Sequence, residues 1–252
     1  MAPQANQPGV AQAGAARPGV AVVVGVGPGL GAALVRRFAQ GGHPVAMVAR
    51  SREFMEGLAT EVKAAGGRTL AVTADVGDAA GIGRAFDIVR SKLGAPEVLL
   101  YNAGSGDWGT ITEITPEQYE DSWRANAYGA FLCAKQAVTD MIKNKRGVML
   151  FTGATAGIKA GPMSAGFGPA KFAVRGLAQS LARDLGPRGI HVAYVNVDGT
   201  IDIPHIRSRM PSLKDEDVLK PAAIAEAYWY LANQDPSAWT QELDVRPFKE
   251  KF

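Results

Sequence analysis

Val20-Ala21-Val22-Val23-Val24-Gly25-Val26-Gly27-Pro28-Gly29-Leu30-Gly31 is a β-branched apolar run that breaks into glycines, and Ala32-Ala33-Leu34-Val35-Arg36-Arg37-Phe38 follows it. The order reads as strand, tight turn, helix. Glycines remove Cβ atoms where the backbone must turn sharply and approach a pyrophosphate. The helix start then offers unpaired N–H groups to that charge. A glycine string alone is weak evidence: Gly81-Ile82-Gly83 lies in a helical stretch with no strand before it and is read as incidental. Gly25, Gly27, Gly29, Leu30 and Gly31 have both flanking elements, and they are read as a nucleotide-binding turn.

The same rhythm continues along the chain. Strands are expected at residues 45–49, 69–73, 98–101, 147–151, 191–195 and 242–245. Helices are expected at 53–65, 79–92, 116–143 (one long helix), 168–185 and 221–233. Short apolar strands alternating with helices imply an α/β fold, a three-layer doubly wound Rossmann arrangement with a mostly parallel central sheet. Right-handed crossovers bring the strands' carboxyl ends to one edge, where open sheets bind ligands. Residues 20–252 read as a single domain that includes the substrate loops. Residues 1–19 are rich in Ala, Gln, Gly and Pro and are expected to form a disordered tail.

The end of the second strand selects the cofactor. An acidic residue there binds the ribose hydroxyls of NAD. Ala49 holds that place, followed by Arg50-Ser51-Arg52. Arg50 and Ser51 can bind a 2′-phosphate with charge-assisted bonds, so NADP(H) is expected over NAD(H).

Composition narrows the rest. The formal charge of +3, from 27 basic and 24 acidic residues mixed along 252, does not point to nucleic acid. No run of apolar residues is long enough to span a membrane, and the start lacks the apolar core of a signal peptide. Cytoplasmic localisation is the default expectation. The single Cys133 excludes an intrachain disulfide and reads as a small buried hydrophobe. His43, His191 and His205 lack ligand spacing, so no metal site is expected.

Several further motifs resemble the short-chain dehydrogenase/reductase family, and the resemblance spans residues 20–245. They are Gly25-x-x-x-Gly29-x-Gly31, Asp75-Val76 after the third strand, Asn102-Ala103-Gly104 after the fourth, Asn126 in the long helix, and Lys171 at the start of another. The resemblance implies that Asp75 holds the adenine edge and that Asn102 to Gly104 line the nucleotide. It implies that Lys171 binds the nicotinamide ribose and that Asn126 keeps a proton-relay water near it. It also implies a small-molecule substrate and a homodimer or homotetramer, formed through the helix running from Lys135 and Ala137 to Met141.

The family's usual tyrosine stands four residues before the lysine, where this chain has Phe167. Its usual serine stands thirteen residues earlier, at Ala154. A phenol can give a proton to a carbonyl oxygen as hydride arrives, and a serine hydroxyl can stabilise that oxygen. Phenylalanine and alanine do neither. Asp198-Gly199 and Ile203 replace the family's usual Pro-Gly and threonine. The runs Phe151 to Thr155 and Glu242 to Pro247 resemble a divergent subgroup that carries only a generic oxidoreductase description.

Thr155, beside the vacant serine position, is the leading replacement for the lost hydroxyls. Asp107, Ser164, Asp198, Asp202 and His205 lie in loops at the same edge and are weaker candidates. Tyr119 and Trp123 read as packing residues. The apolar loop content at Trp108, Met163, Phe167 and Met210 suggests an uncharged or partly hydrophobic ligand. Two functions fit. One is an NADP(H)-dependent oxidoreductase acting on a carbonyl/alcohol pair, an imine or an activated alkene with non-standard acid chemistry. The other is a cofactor-binding protein without ordinary redox turnover, such as a sensor, a scaffold or a non-redox enzyme.

Overall fold

A computed structural model describes residues 18–250. The expected disordered tail lies, apart from its last two residues, outside the described residues. Strands β1 (Val20–Val24), β2 (Val45–Ala49), β3 (Thr69–Thr73), β4 (Pro96–Tyr101), β5 (Gly147–Thr152) and β6 (Ile190–Val197) belong to the main sheet. β7 (Thr200–Ile201) and β8 (Val218–Leu219) form a separate two-stranded ladder, and β9 (Glu242–Val245) returns to the main sheet. The seven main strands run parallel in the order β3-β2-β1-β4-β5-β6-β9.

The helices are α1 (Leu30–Gln40), α2 (Arg52–Ala64), α3 (Ala79–Lys92), α4 (Pro116–Trp123), α5 (Gly129–Asn144), α6 (Phe167–Leu185), α7 (Pro204–Arg209) and α8 (Pro221–Ala232). β1 shows why the sheet sits inside. Val20, Val22 and Val24 pack into one core cluster, while Ala21 and Val23 face the other. A strand buried on both faces has no polar side, as a covered parallel sheet requires. α3, α5 and α6 cover the first face, and α1, α2 and α8 cover the second.

The expected elements recur with their ends moved by one or two residues, and two differences matter for the site. The long helix is not continuous: residues Arg124–Tyr128 form a π-helical turn between α4 and α5. There the Asn126 side-chain amide donates to the Ser122 carbonyl at 2.8 Å, entering the backbone ladder. A π turn inside a helix is often found at functional sites. The second difference is β7, α7 and β8, which are too short to leave a periodic signal. They fold the segment after β6 back over the sheet's carboxyl edge.

Candidate functional site

The sheet reverses direction of growth between β1 and β4, and the glycine turn opens there. Gly25 has φ +88°, and a Cβ on it would strike the backbone of Asn102 and Ala103. Asn102 ties the two strand ends together, its backbone N–H donating to the Val24 carbonyl and its side-chain amide to the Gly25 carbonyl, both at 2.8 Å. A Cβ on Gly31 would meet the Gly25 carbonyl and lie 2.8 Å from Val26 Cα, so glycine lets α1 pack tightly on the turn. Leu30 is buried beneath. The Ile203 side chain leans on Gly29, whose ideal Cβ position is 2.6 Å from Ile203 Cγ2. Gly27 differs from the others: apart from its chain neighbours, no atom of the described residues lies within 4 Å of its Cβ position, so the turn is open on that side.

Arg50 and Ser51 are exposed at the carboxyl end of β2, where α2 begins. Among the described residues no carboxylate pairs with Arg50, whereas neighbouring Arg52 is bonded to Glu56. Asp75 follows β3 and is exposed, with one carboxylate oxygen accepting the Gly77 N–H at 2.8 Å. Val76 and Ala103 are half-buried, both packed against the first core cluster.

Lys171 and Asn126 meet at the centre of the edge. Lys171 is only 4% exposed, and its ammonium donates to the Thr152 carbonyl at 3.0 Å. Burial pulls its pKa down from 10.5 to about 8. The Asn126 amide nitrogen donates to Ser105 O at 2.9 Å as well as to Ser122 O, which turns the amide oxygen inward. That Oδ1 is buried and has no hydrogen-bond partner among the described residues. A Cβ on Gly104 would lie 2.8 Å from Asn126 Oδ1 and 3.3 Å from Lys171 Nζ. The amide oxygen and the ammonium therefore converge on one glycine, and a buried acceptor in this position fits a hydrogen-bonding ligand or its water.

Phe167 sits one helical turn before Lys171, with its ring centroid 5.4 Å from the ammonium. Ala154 is half-buried at the start of the turn after β5. Thr155 donates its hydroxyl proton to Asp198 at 2.5 Å. Asp198 is 3% exposed, and its other carboxylate oxygen is 3.5 Å from an Arg246 guanidinium nitrogen. A threonine has one O–H to give, so in this arrangement Thr155 has none left for a substrate oxygen.

The weaker candidates separate. Ser164 is buried and satisfies the turn at Gly161, at 2.7 Å. Asp202 is held by Arg207. His205 is exposed on α7, and Asp107 is half-buried beside the exposed Trp108. His43 bonds Gly19 O, while His191 stacks on Trp239 and faces two backbone carbonyls. Cys133 is buried, and burial pushes its thiol pKa well up. Among the described residues no group of three or more His, Cys, Asp or Glu is placed to hold a metal. No helix there is long and apolar enough to cross a membrane.

Two expectations are corrected. Of the run expected at a subunit interface, Ala137 and Met141 face the core, because α5 turns that stripe onto the sheet; Lys135 stands on the outward face with Phe131. Tyr119 and Trp123 are exposed rather than packed inside, since α4 touches the domain through Ser122. The sequence reading also missed Thr152, Ser105 and Arg246. The first two act through backbone carbonyls, which no side-chain pattern reveals. Arg246 was visible only as part of an unusual chain ending.

A glycine turn opens at the switch point of this Rossmann-type parallel sheet, with a buried lysine and an amide oxygen on the same carboxyl edge. Residues 19–208 match the short chain dehydrogenase family, and the chain belongs to it. The 3-oxoacyl-[acyl-carrier-protein] reductase MabA of Mycobacterium tuberculosis is 32% identical over 224 residues, covering 86% of each chain. FabG of Staphylococcus aureus, which bears the same reductase name, is 31% identical over 69% of this chain and 72% of its own. A crystal structure of a short-chain dehydrogenase from Rhodopseudomonas palustris superposes with TM-score 0.80 at 32% identity, covering 91% of this chain and 99% of its own. A metagenomic short-chain oxidoreductase in complex with NADP gives TM-score 0.80 at 27% identity, covering 91% and 96%.

Proposed function

We propose that this protein is an NADP(H)-dependent oxidoreductase of a divergent short-chain dehydrogenase subgroup. Its substrate is a small carbonyl/alcohol pair, an imine or an activated alkene, and its acid chemistry is non-standard. The observation that carries the reading is the convergence of Lys171 and the unpartnered Asn126 oxygen on Gly104, beside the open Gly27 turn. A nicotinamide cofactor, when bound, supplies or accepts a hydride. Arg50 and Ser51 hold its 2′-phosphate, Asp75 with Val76 holds the adenine edge, and Asn102, Ala103 and Gly104 line the nucleotide. Lys171 binds the ribose and holds positive potential at the reacting end, with Asn126 anchoring water beside it. Reductase names and an NADP complex among the relatives support the same reading. Comparing NADPH and NADH dissociation constants tests the cofactor assignment: NADPH binds more tightly, and a tighter NADH complex overturns it.

Ala154, Phe167 and the engaged Thr155 proton favour a second reading, a cofactor-binding protein without ordinary redox turnover. Ala154→Ser with Phe167→Tyr separates the two. New carbonyl reduction, absent from the parent, supports the second; a parent that already turns over and is slowed by the change supports the first.

The same reading takes residues 20–252 as one domain in a cytoplasmic protein, binding neither nucleic acid nor membrane. It takes the chain as a homodimer or homotetramer. Phe131, Phe172 and Trp123, exposed on α5, α6 and α4, favour assembly through that side.

A further inference from the structure

Trp108 is 60% exposed, yet its surroundings hold it in place. The Gly109 N–H donates to the Met163 carbonyl at 2.7 Å, and the Ala165 N–H donates to the Gly109 carbonyl at 3.2 Å. Gly109 and Ser164 form a parallel bridge, so the loop after β4 is zipped to the loop before α6. The indole lies back over Gly106, whose Cβ position is 2.9 Å from Trp108 Nε1; a side chain there would displace it. The indole packs on Phe167 with centroids 5.1 Å apart and planes at 44°. Lys171 stands against the same phenyl ring. Ammonium, phenyl and indole thus form a fixed series whose outer member is bare to solvent. A large aromatic side chain ordered but uncovered next to a catalytic edge is a binding surface for another flat ring.

A second, independent feature limits the chemistry. Ala154 and Phe167 supply no proton and no oxyanion donor, and the Thr155 proton is held by Asp198. A simple ketone would develop a localised alkoxide with no side-chain hydroxyl to meet it, leaving only the Lys171 charge nearby. A conjugated acceptor spreads the incoming charge over its own π system and can take its proton later from water.

Resting on the NADP(H) reading above, we infer that the substrate is a flat, aryl-conjugated enone, its aromatic ring stacked on Trp108. The C4–H bond of the dihydronicotinamide breaks, and its hydride forms a C–H bond at the enone's β-carbon. The C=C electrons move to give an enolate, the cofactor becomes NADP⁺, and water protonates the α-carbon and is left as hydroxide. The product is the saturated ketone.

The probes are trans-4-phenyl-3-buten-2-one and its 4-cyclohexyl counterpart, which differ in the flatness of the ring. Each is titrated by calorimetry into the full chain with and without NADPH. The phenyl probe binds about fivefold or more tightly than the cyclohexyl probe, the scale of one aromatic pair. Trp108→Ala abolishes that preference, Trp108→Phe retains most of it, and NADPH affinity is the same in both variants. NADPH absorbance falls with the phenyl enone, and the product is the saturated ketone. Equal binding of the two probes, a preference that survives Trp108→Ala, or reduction at the carbonyl carbon overturns the inference. Failure of NADPH itself to bind is a different result and defeats the cofactor reading, because ring preference is also read without nucleotide.

Discussion

Thr155 and Asp198 form a 2.5 Å hydrogen bond that joins the turn after β5 to the loop after β6. Arg246, just past β9, approaches the same carboxylate, so three neighbouring strand ends are tied at one buried charge. A buried carboxylate stripped of a donor bears a desolvation cost that a surface one does not. Thr155→Val keeps the shape and removes the proton. It should destabilise the fold by about 1–3 kcal/mol, with Thr155→Ser recovering most of the loss. Denaturant melts check this. If Thr155→Val instead keeps full stability and stops turnover, the threonine proton belongs to the substrate and not to Asp198.

The sheet was legible because its signal is repeated: each strand is a short β-branched run and each is followed by a helix. The glycine turn was legible because it sits between one strand and one helix, and Lys171 and Asn126 because they match motifs of the short-chain dehydrogenase/reductase family. The tie between Thr155, Asp198 and Arg246 was not. Its members come from separate parts of the chain, and only the parallel register of β5, β6 and β9 brings them together. The π turn was hidden for another reason. It is set by one side-chain amide competing for a backbone carbonyl, and such a local exchange leaves the apolar period almost intact.

Gly27 offers a clean separation of folding from binding. Its Cβ position is open and its φ lies outside the left-handed region, so Gly27→Ala should leave the melting temperature within a degree or two. The added methyl occupies the face from which a pyrophosphate would approach the turn, and NADPH affinity should drop about tenfold or more. Gly25→Ala, with φ +88° and backbone in the way, should instead destabilise the whole domain. Unchanged NADPH affinity in a folded Gly27→Ala protein would move the nucleotide elsewhere.

Arg50 decides between the two cofactors by charge. Arg50→Ala should weaken NADPH by about tenfold while leaving NADH nearly unaffected, because only the former carries the 2′-phosphate. Both partners face solvent, so the NADPH effect should shrink as salt is raised. Parallel titrations of the two nucleotides at low and high ionic strength read this directly. An equal loss for both would assign Arg50 to a part of the nucleotide that they share.

Lys171 carries the last prediction, because its charge is conditional. Burial lowers its pKa from 10.5 to about 8, so the folded protein releases this proton before the unfolded chain does. Between those values the unfolded state holds more protons, and stability rises with pH across that window. The cost of burying the ammonium is fully present below about 8. Cofactor binding runs the opposite way, since the ribose and the anionic nucleotide interact with the charged form. NADPH affinity should therefore fall as pH rises from about pH 7 to about pH 9.5, with its midpoint shifted above that of the free protein. Lys171→Met removes the ammonium and keeps an apolar stem, so affinity at neutral pH should weaken by about 1–3 kcal/mol and the pH slope should vanish. Stability at neutral pH should stay level or rise, since a buried charge is gone while its single bond to Thr152 O is lost. Titrations across pH on both proteins, with melts as the folding control, measure all three effects. A folded Lys171→Met protein that binds NADPH with unchanged affinity and the same slope would remove this lysine from the cofactor site.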